Sequence, residues 1–197
     1  MTNAATETAL KPTPWPASLV LSPARASVAL YLGLIGTLAC LSIGSPADVL
    51  PGAMLSFGLA WASMVDIDRF ILPDVLTLGL VVAGLCFAFS NGWPALQSRS
   101  IGAAAGYGVL ALIAGVYQRL RGRSGLGMGD AKLLAVGGAW LGWTALPAVL
   151  LMASVSCLVF IGSKAALRKK PMPTGPIPFG PYLAGSTWCL FLLWPGV

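Results

Sequence analysis

Seven apolar segments, near residues 27–44, 48–66, 74–91, 100–118, 130–145, 147–165 and 178–194, decide what this chain can fold into. A helix needs roughly 20 mostly apolar residues to cross the hydrocarbon core of a bilayer, and these segments approach that length one after another. Lipid offers no water to satisfy backbone amides, so each crossing must be helical. Fifty-seven per cent of the 197 residues are hydrophobic, only 9% are charged, and the mean hydropathy is +0.83. A soluble domain of this size would need far more polar cover. The expectation is an all-α, polytopic transmembrane helix bundle of about seven spans. The segments are rich in Gly, Ala and Ser, which lets helices approach closely. They therefore form one compact bundle, and such faces also permit a homo-oligomer.

Residues 1–26 are polar, contain proline and lack an apolar run. They are expected to form a flexible cytoplasmic tail ahead of a single transmembrane domain over residues 27–197. A cleaved signal peptide does not fit, because the first apolar segment lies behind this tail and more follow. The formal charge is +6, and its distribution sets the orientation. With the N-terminus inside, Lys11, Arg25, Arg69, Arg119, Arg121, Arg123, Lys132, Lys164, Arg168, Lys169 and Lys170 fall on the cytoplasmic side and Arg99 alone falls outside. Basic residues so divided are topology determinants, not a nucleic-acid surface.

The chain contains no histidine, which removes Ser-His-Asp and Cys-His catalysis, HExxH zinc sites and histidine proton relays together. Cys40, Cys86, Cys157 and Cys189 sit singly in apolar runs and form no CxxC; isolated thiols of this kind pack as small hydrophobes. No metal site or cofactor is expected.

The chemistry then falls to the acids. Glu7 lies in the tail and Asp48 at the outer end of the second segment, both expected to be solvated. Asp66, Asp68 and Asp74 lie in Val65-Asp66-Ile67-Asp68-Arg69-Phe70-Ile71-Leu72-Pro73-Asp74, and Asp130 closes Gly127-Met128-Gly129-Asp130 at the mouth of the fifth segment. All four belong to the cytoplasmic side under the orientation above. A carboxylate at the inner end of a span is costly unless protonated, paired or open to water. If the second and fifth segments pack near one another, Asp66 and Asp130 share one proton. One then activates water while the other protonates or polarises a substrate carbonyl, which is how aspartic proteases work. Gly127 and Gly129 allow a positive-φ turn and close approach of an extended peptide, and Lys132 can tune Asp130.

Plainer roles exist for each residue. Asp130 could cap the fifth helix and Asp74 the third. Asp68 could be a solvated turn residue or a partner of Arg69, and Lys132 a simple cytoplasmic charge.

Taken in order, Asp66-x-Asp68, Leu72-Pro73-Asp74 and, 64 residues after Asp66, Gly127-x-Gly129-Asp130 resemble the bacterial type IV prepilin peptidases, within the GxGD aspartic proteases. Lys132-Leu133-Leu134, Gly138-Ala139-Trp140-Leu141-Gly142 and Pro176-Ile177-Pro178-Phe179-Gly180-Pro181 fit the same pattern, so the similarity covers roughly residues 50–190. The resemblance implies a multi-pass protein of the bacterial inner membrane with its active site toward the cytoplasm. It implies that Asp66 and Asp130 are catalytic and that Asp74 supports them. It also implies a prepilin or type II secretion pseudopilin as partner, cleaved after a glycine between a basic leader and a hydrophobic helix.

Long members of that family carry an extra segment, often with paired CxxC motifs, associated with N-methylation. Residues 1–50 hold one cysteine, Cys40, so peptidase activity is expected without methyltransferase activity. Two other classes compete. A Mg²⁺-dependent membrane transferase could use the same aspartates as cation ligands, though it usually needs more of them. A proton-coupled transporter could also use them, but it would spread acids to both sides of the midplane.

Overall fold

The computed structural model describes residues 21–43, 46–70, 72–121, 127–168 and 177–193. Among these the chain is all-helical. Its helices are α1 (Pro23–Ile43), α2 (Val49–Arg69), α3 (Asp74–Ser90), α4 (Trp93–Arg121), α5 (Met128–Leu141), α6 (Leu146–Arg168) and α7 (Gly180–Leu193). Each coincides with one apolar segment of the sequence. The expected tail falls largely outside the described residues, and α1 already begins at Pro23.

Among the described residues, four stretches are long and apolar enough to cross a membrane: Pro23–Ile43, Pro46–Arg69, Trp93–Arg121 and Trp143–Leu167. α3 is a shorter apolar helix of 17 residues, and α5 and α7 have 14 residues each. At about 1.5 Å per residue the last two fall short of a full hydrocarbon thickness. Their surroundings explain why short helices suffice. Apart from Lys132, every residue of α5 from Ala131 to Leu141 is buried, so protein rather than lipid surrounds it. A helix apolar on all sides belongs in such a place.

α5 is the axis of the bundle, packed against α3, α4 and α7. Its approach to α4 depends on glycine: a Cβ on Gly102 would stand 2.5 Å from the Gly138 carbonyl oxygen, and one on Gly106 2.7 Å from that of Leu134. The two backbones therefore touch, the geometry that small residues permit between membrane helices. On its other side Trp140, fully buried, donates its indole N–H to the Leu80 carbonyl of α3 at 2.8 Å. The outer faces are greasy and open. Leu34, Ile35 and Leu38 of α1, Leu112 of α4 and Leu158 of α6 are all at least half exposed. Contiguous apolar surface of this kind is suited to a bilayer rather than to water.

Candidate active site

The end of the bundle that holds the acids is built where four chain segments turn. α2 finishes just beyond Asp66: Phe70 takes a left-handed conformation (φ 52°) and its N–H bonds back to the Asp66 carbonyl at 2.9 Å. The chain then runs through buried Leu72 and Pro73 into α3, which starts at Asp74. α5 and α7 begin at the same end, with Gly127 and Phe179 just before them.

Asp66 occupies the last buried turn of α2 and is 6% exposed. Its Oδ2 accepts the backbone N–H of Gly180 at 3.1 Å. Gly180 opens α7, so its amide is one of the first-turn donors that no helical carbonyl can satisfy, and the carboxylate fills that vacancy. Gly180 is itself buried, and a Cβ there would lie 2.5 Å from Asp66 Oδ2 and 2.9 Å from its Cγ. Only glycine lets the amide approach the acid this closely.

Asp130 lies in the first turn of α5, half-buried, close enough to Asp66 for the charge of one to act on the other. The sequence raised the possibility of direct packing between the two helices. They share neighbours, since α3 and α7 both touch α2 and α5, and both acids lie at the end of the bundle where α2 stops and α5 starts.

Several expectations change in detail. Asp130 does not cap α5. Gly127 takes that place, and the Asp130 N–H bonds to the Gly127 carbonyl at 3.1 Å. The glycines do not make a positive-φ turn either: Gly127 has φ −71°, ψ 132°, extended backbone open to any residue. What Gly129 supplies is room, since a Cβ there would sit 2.9 Å from Leu72 Cδ1. The first turn of α5 can therefore rest on the α2–α3 connection, which brings Asp130 toward the end of α2.

Asp74 is the first residue of α3 rather than its cap; the cap position is Pro73. Its carboxylate pairs with Lys132 of α5, an exposed contact in which the Asp74 side chain is 64% accessible and that of Lys132 29%. Asp74 and Lys132 thus form a clasp between α3 and α5. Asp68 pairs with Arg25 of α1.

Gly180 carried a weak signal in the sequence. It sits in Pro178-Phe179-Gly180-Pro181, where proline just inside a helix start marks the first turn. Nothing in that local pattern says which acid lies above it.

A model of the type IV leader peptidase family matches residues 53–162. The chain is 40% identical over 167 residues to the prepilin leader peptidase/N-methyltransferase of Aeromonas hydrophila, covering 85% of this chain and 57% of that protein. The protein of the same name from Burkholderia pseudomallei strain K96243 is 44% identical over 138 residues, 68% of this chain and 44% of its own length. That from Neisseria gonorrhoeae is 37% identical over 164 residues, 83% and 56% respectively. The chain thus spans about half the length of these relatives. No solved structure matches it significantly.

Proposed function

The chain belongs to the type IV leader peptidase family, and on that premise we propose that it is a membrane-embedded aspartic endopeptidase with Asp66 and Asp130 as its catalytic pair. The substrates would be type IV prepilins or type II secretion pseudopilins. The observation that carries this reading is the Gly180 amide bond that fixes the Asp66 carboxylate at the end of the bundle where α5 begins with Asp130 in its first turn.

In the proposed reaction one carboxylate takes a proton from a water molecule as its oxygen adds to the scissile carbonyl carbon. The other carboxyl, protonated, gives its proton to the carbonyl oxygen. The resulting gem-diol collapses, the C–N bond breaks, and the departing amine takes up the proton held by the first acid. The second acid regains its proton from a gem-diol hydroxyl as the carbonyl re-forms, so the pair returns to its starting state with one acid ionised and one protonated. The two acids serve hydrolysis and take no part in methyl transfer, so the proposal is for the first activity in the relatives' names. Gly127 and Gly129 leave the first turn of α5 low enough for an extended peptide to reach Asp130, while Asp74 and Lys132 support the turn from its flank.

The topology proposed with this reading is seven crossings, with the N-terminus and the acids on the cytoplasmic side of a bacterial inner membrane. Support comes from charge: Arg25, Arg69, Arg119, Arg121, Lys132 and Lys164 belong to helix ends or turns on the side of the acids. Positive charge concentrates on the cytoplasmic side of membrane proteins.

The test is cleavage of a prepilin-type substrate in membranes. Asp66→Asn and Asp130→Asn should each lower kcat by about 10²–10⁴-fold at unchanged protein levels. Near-normal processing by either variant would overturn the assignment.

A further inference from the structure

A groove of 290 Å³ runs along the seam between α2 and α7, with α1 as its third wall. Gly36 of α1, Leu59 and Ser63 of α2, and Ala184, Gly185 and Trp188 of α7 line it. Its direction follows from helical register. Leu59, Ser63 and Asp66 fall on one line of α2 at spacings of four and three residues, and Gly180, Ala184 and Trp188 fall on one line of α7 at spacings of four. Both walls therefore lead to the hydrogen bond between Gly180 and Asp66.

The walls restrict what can lie there. Ser63 donates its hydroxyl to the Leu59 carbonyl at 2.7 Å, and Ser56, at the far end, donates to the Gly33 carbonyl at 3.0 Å. That leaves at most the Trp188 indole N–H among the lining side chains, and one donor cannot pair along an extended backbone. An occupant at bilayer depth must therefore satisfy its own amides, as a helix does. Gly36, Ser63, Ala184 and Gly185 leave the wall low, which lets a second backbone come close; a flexible acyl chain gains nothing from that. The groove is also continuous with the reacting groups at one end.

We infer that this groove docks an apolar transmembrane helix of the peptide substrate and delivers the chain just beyond that helix to Asp66 and Asp130. The inference rests on the peptidase reading. A second cavity, of 330 Å³ between α3, α4 and α5, does not compete for this role. It is lined by Asp74 and Lys132, so a helix entering it at that end would have to displace their ion pair.

Gly185 provides the test. It is exposed, and a Cβ on it would meet no atom within 4 Å, so Gly185→Leu fills the groove without disturbing the bundle. Gly115 on α4 is equally open and faces away from the groove, so Gly115→Leu is the matched control. With a full-length prepilin-type substrate in membranes, Gly185→Leu should raise KM at least about tenfold, equivalent to about 1.4 kcal/mol of binding, with kcat little changed. Gly115→Leu should leave both unchanged. A photo-crosslinking residue at position 185 should capture the substrate helix. An unaltered KM in Gly185→Leu, or capture of lipid alone, would overturn the groove assignment. If the wild-type protein leaves the substrate uncut, the peptidase reading falls and the crosslink alone decides the groove.

Discussion

The two ends of the bundle handle buried charge in opposite ways. At the Asp66 end the acid is anchored by a backbone amide at a helix start, beside a second acid and next to a groove that leads outward. At the other end Arg99 of α4 is 3% exposed and its Nη1 has no hydrogen-bond partner. Its guanidinium lies 4.9 Å from the centroid of the Phe87 ring and within the field of Asp48. Phe87 contacts Trp140, and Trp140 in turn contacts Phe191 edge-on at 5.9 Å. The acid is held by a directional bond that sets where one oxygen points. The arginine is held by ring faces and packing, which tolerate rotation and reward volume. A group that must meet a substrate needs the first kind of support; a group that fills a core is served by the second.

The sharpest way to break this contrast is to remove the directional support alone. Gly180→Ala adds one methyl group on an ordinary helical backbone, and the obstacle it meets is the Asp66 carboxylate. The acid must swing away, and a misplacement of about 1 Å can cost about 10²-fold in rate. The expected result is a kcat lower by about that factor with KM within about twofold, measured by cleavage in membranes. Gly162→Ala on α6, where a Cβ would meet no atom within 4 Å, should leave kcat unchanged. A normal kcat in Gly180→Ala would show that the amide bond has no part in positioning Asp66.

What the sequence disclosed divides along the same line. The seven helices were legible because apolar runs of near-spanning length have few other fates. Asp66 and Asp130 stand out as candidates in the sequence because acids at the ends of such runs are costly. Contacts between distant helix starts were not. The Gly180 amide finds Asp66 114 residues away in the chain, and Asp68 finds Arg25 of α1. Spacing along a helix says which residues share a face but not which face another helix will meet. Asp130 was open to a capping role because a short acid before an apolar run usually caps it. The cap instead falls three residues earlier, at Gly127, because Gly129 can tuck beneath Leu72. Charge alone makes Arg99 the single basic residue of the outer face; its burial against the Phe87 ring depends on α3 and α4 meeting there.

The opposite end calls for a pair of substitutions. Arg99→Ala removes a long buried stem and should cost about 2–4 kcal/mol of stability, as large-to-small core changes do. Arg99→Met keeps most of the volume and deletes an imperfectly satisfied charge, an exchange that is often neutral or stabilising. Its stability should therefore lie within about 1 kcal/mol of wild type or above it. Unfolding in mixed micelles would measure both, and kcat should stay within about twofold in each. Loss of activity in a stably folded Arg99→Met would tie this end to the chemistry and erase the contrast.

The smallest effect is expected at the clasp between Asp74 and Lys132, which belongs to the acid end but not to its directional kind of support. Both side chains reach solvent, and exposed ion pairs contribute about 0–1 kcal/mol. Asp74→Asn, Lys132→Met and the double variant should show a coupling energy below about 1 kcal/mol and cleavage rates within about threefold of wild type. Salt should weaken the wild-type contact and leave the double variant indifferent. Strong loss of kcat in Asp74→Asn, with Lys132→Met near normal, would mean that the Asp74 carboxylate acts on the substrate rather than on its lysine. The catalytic apparatus would then hold three acids, and the clasp would be the resting state of the third.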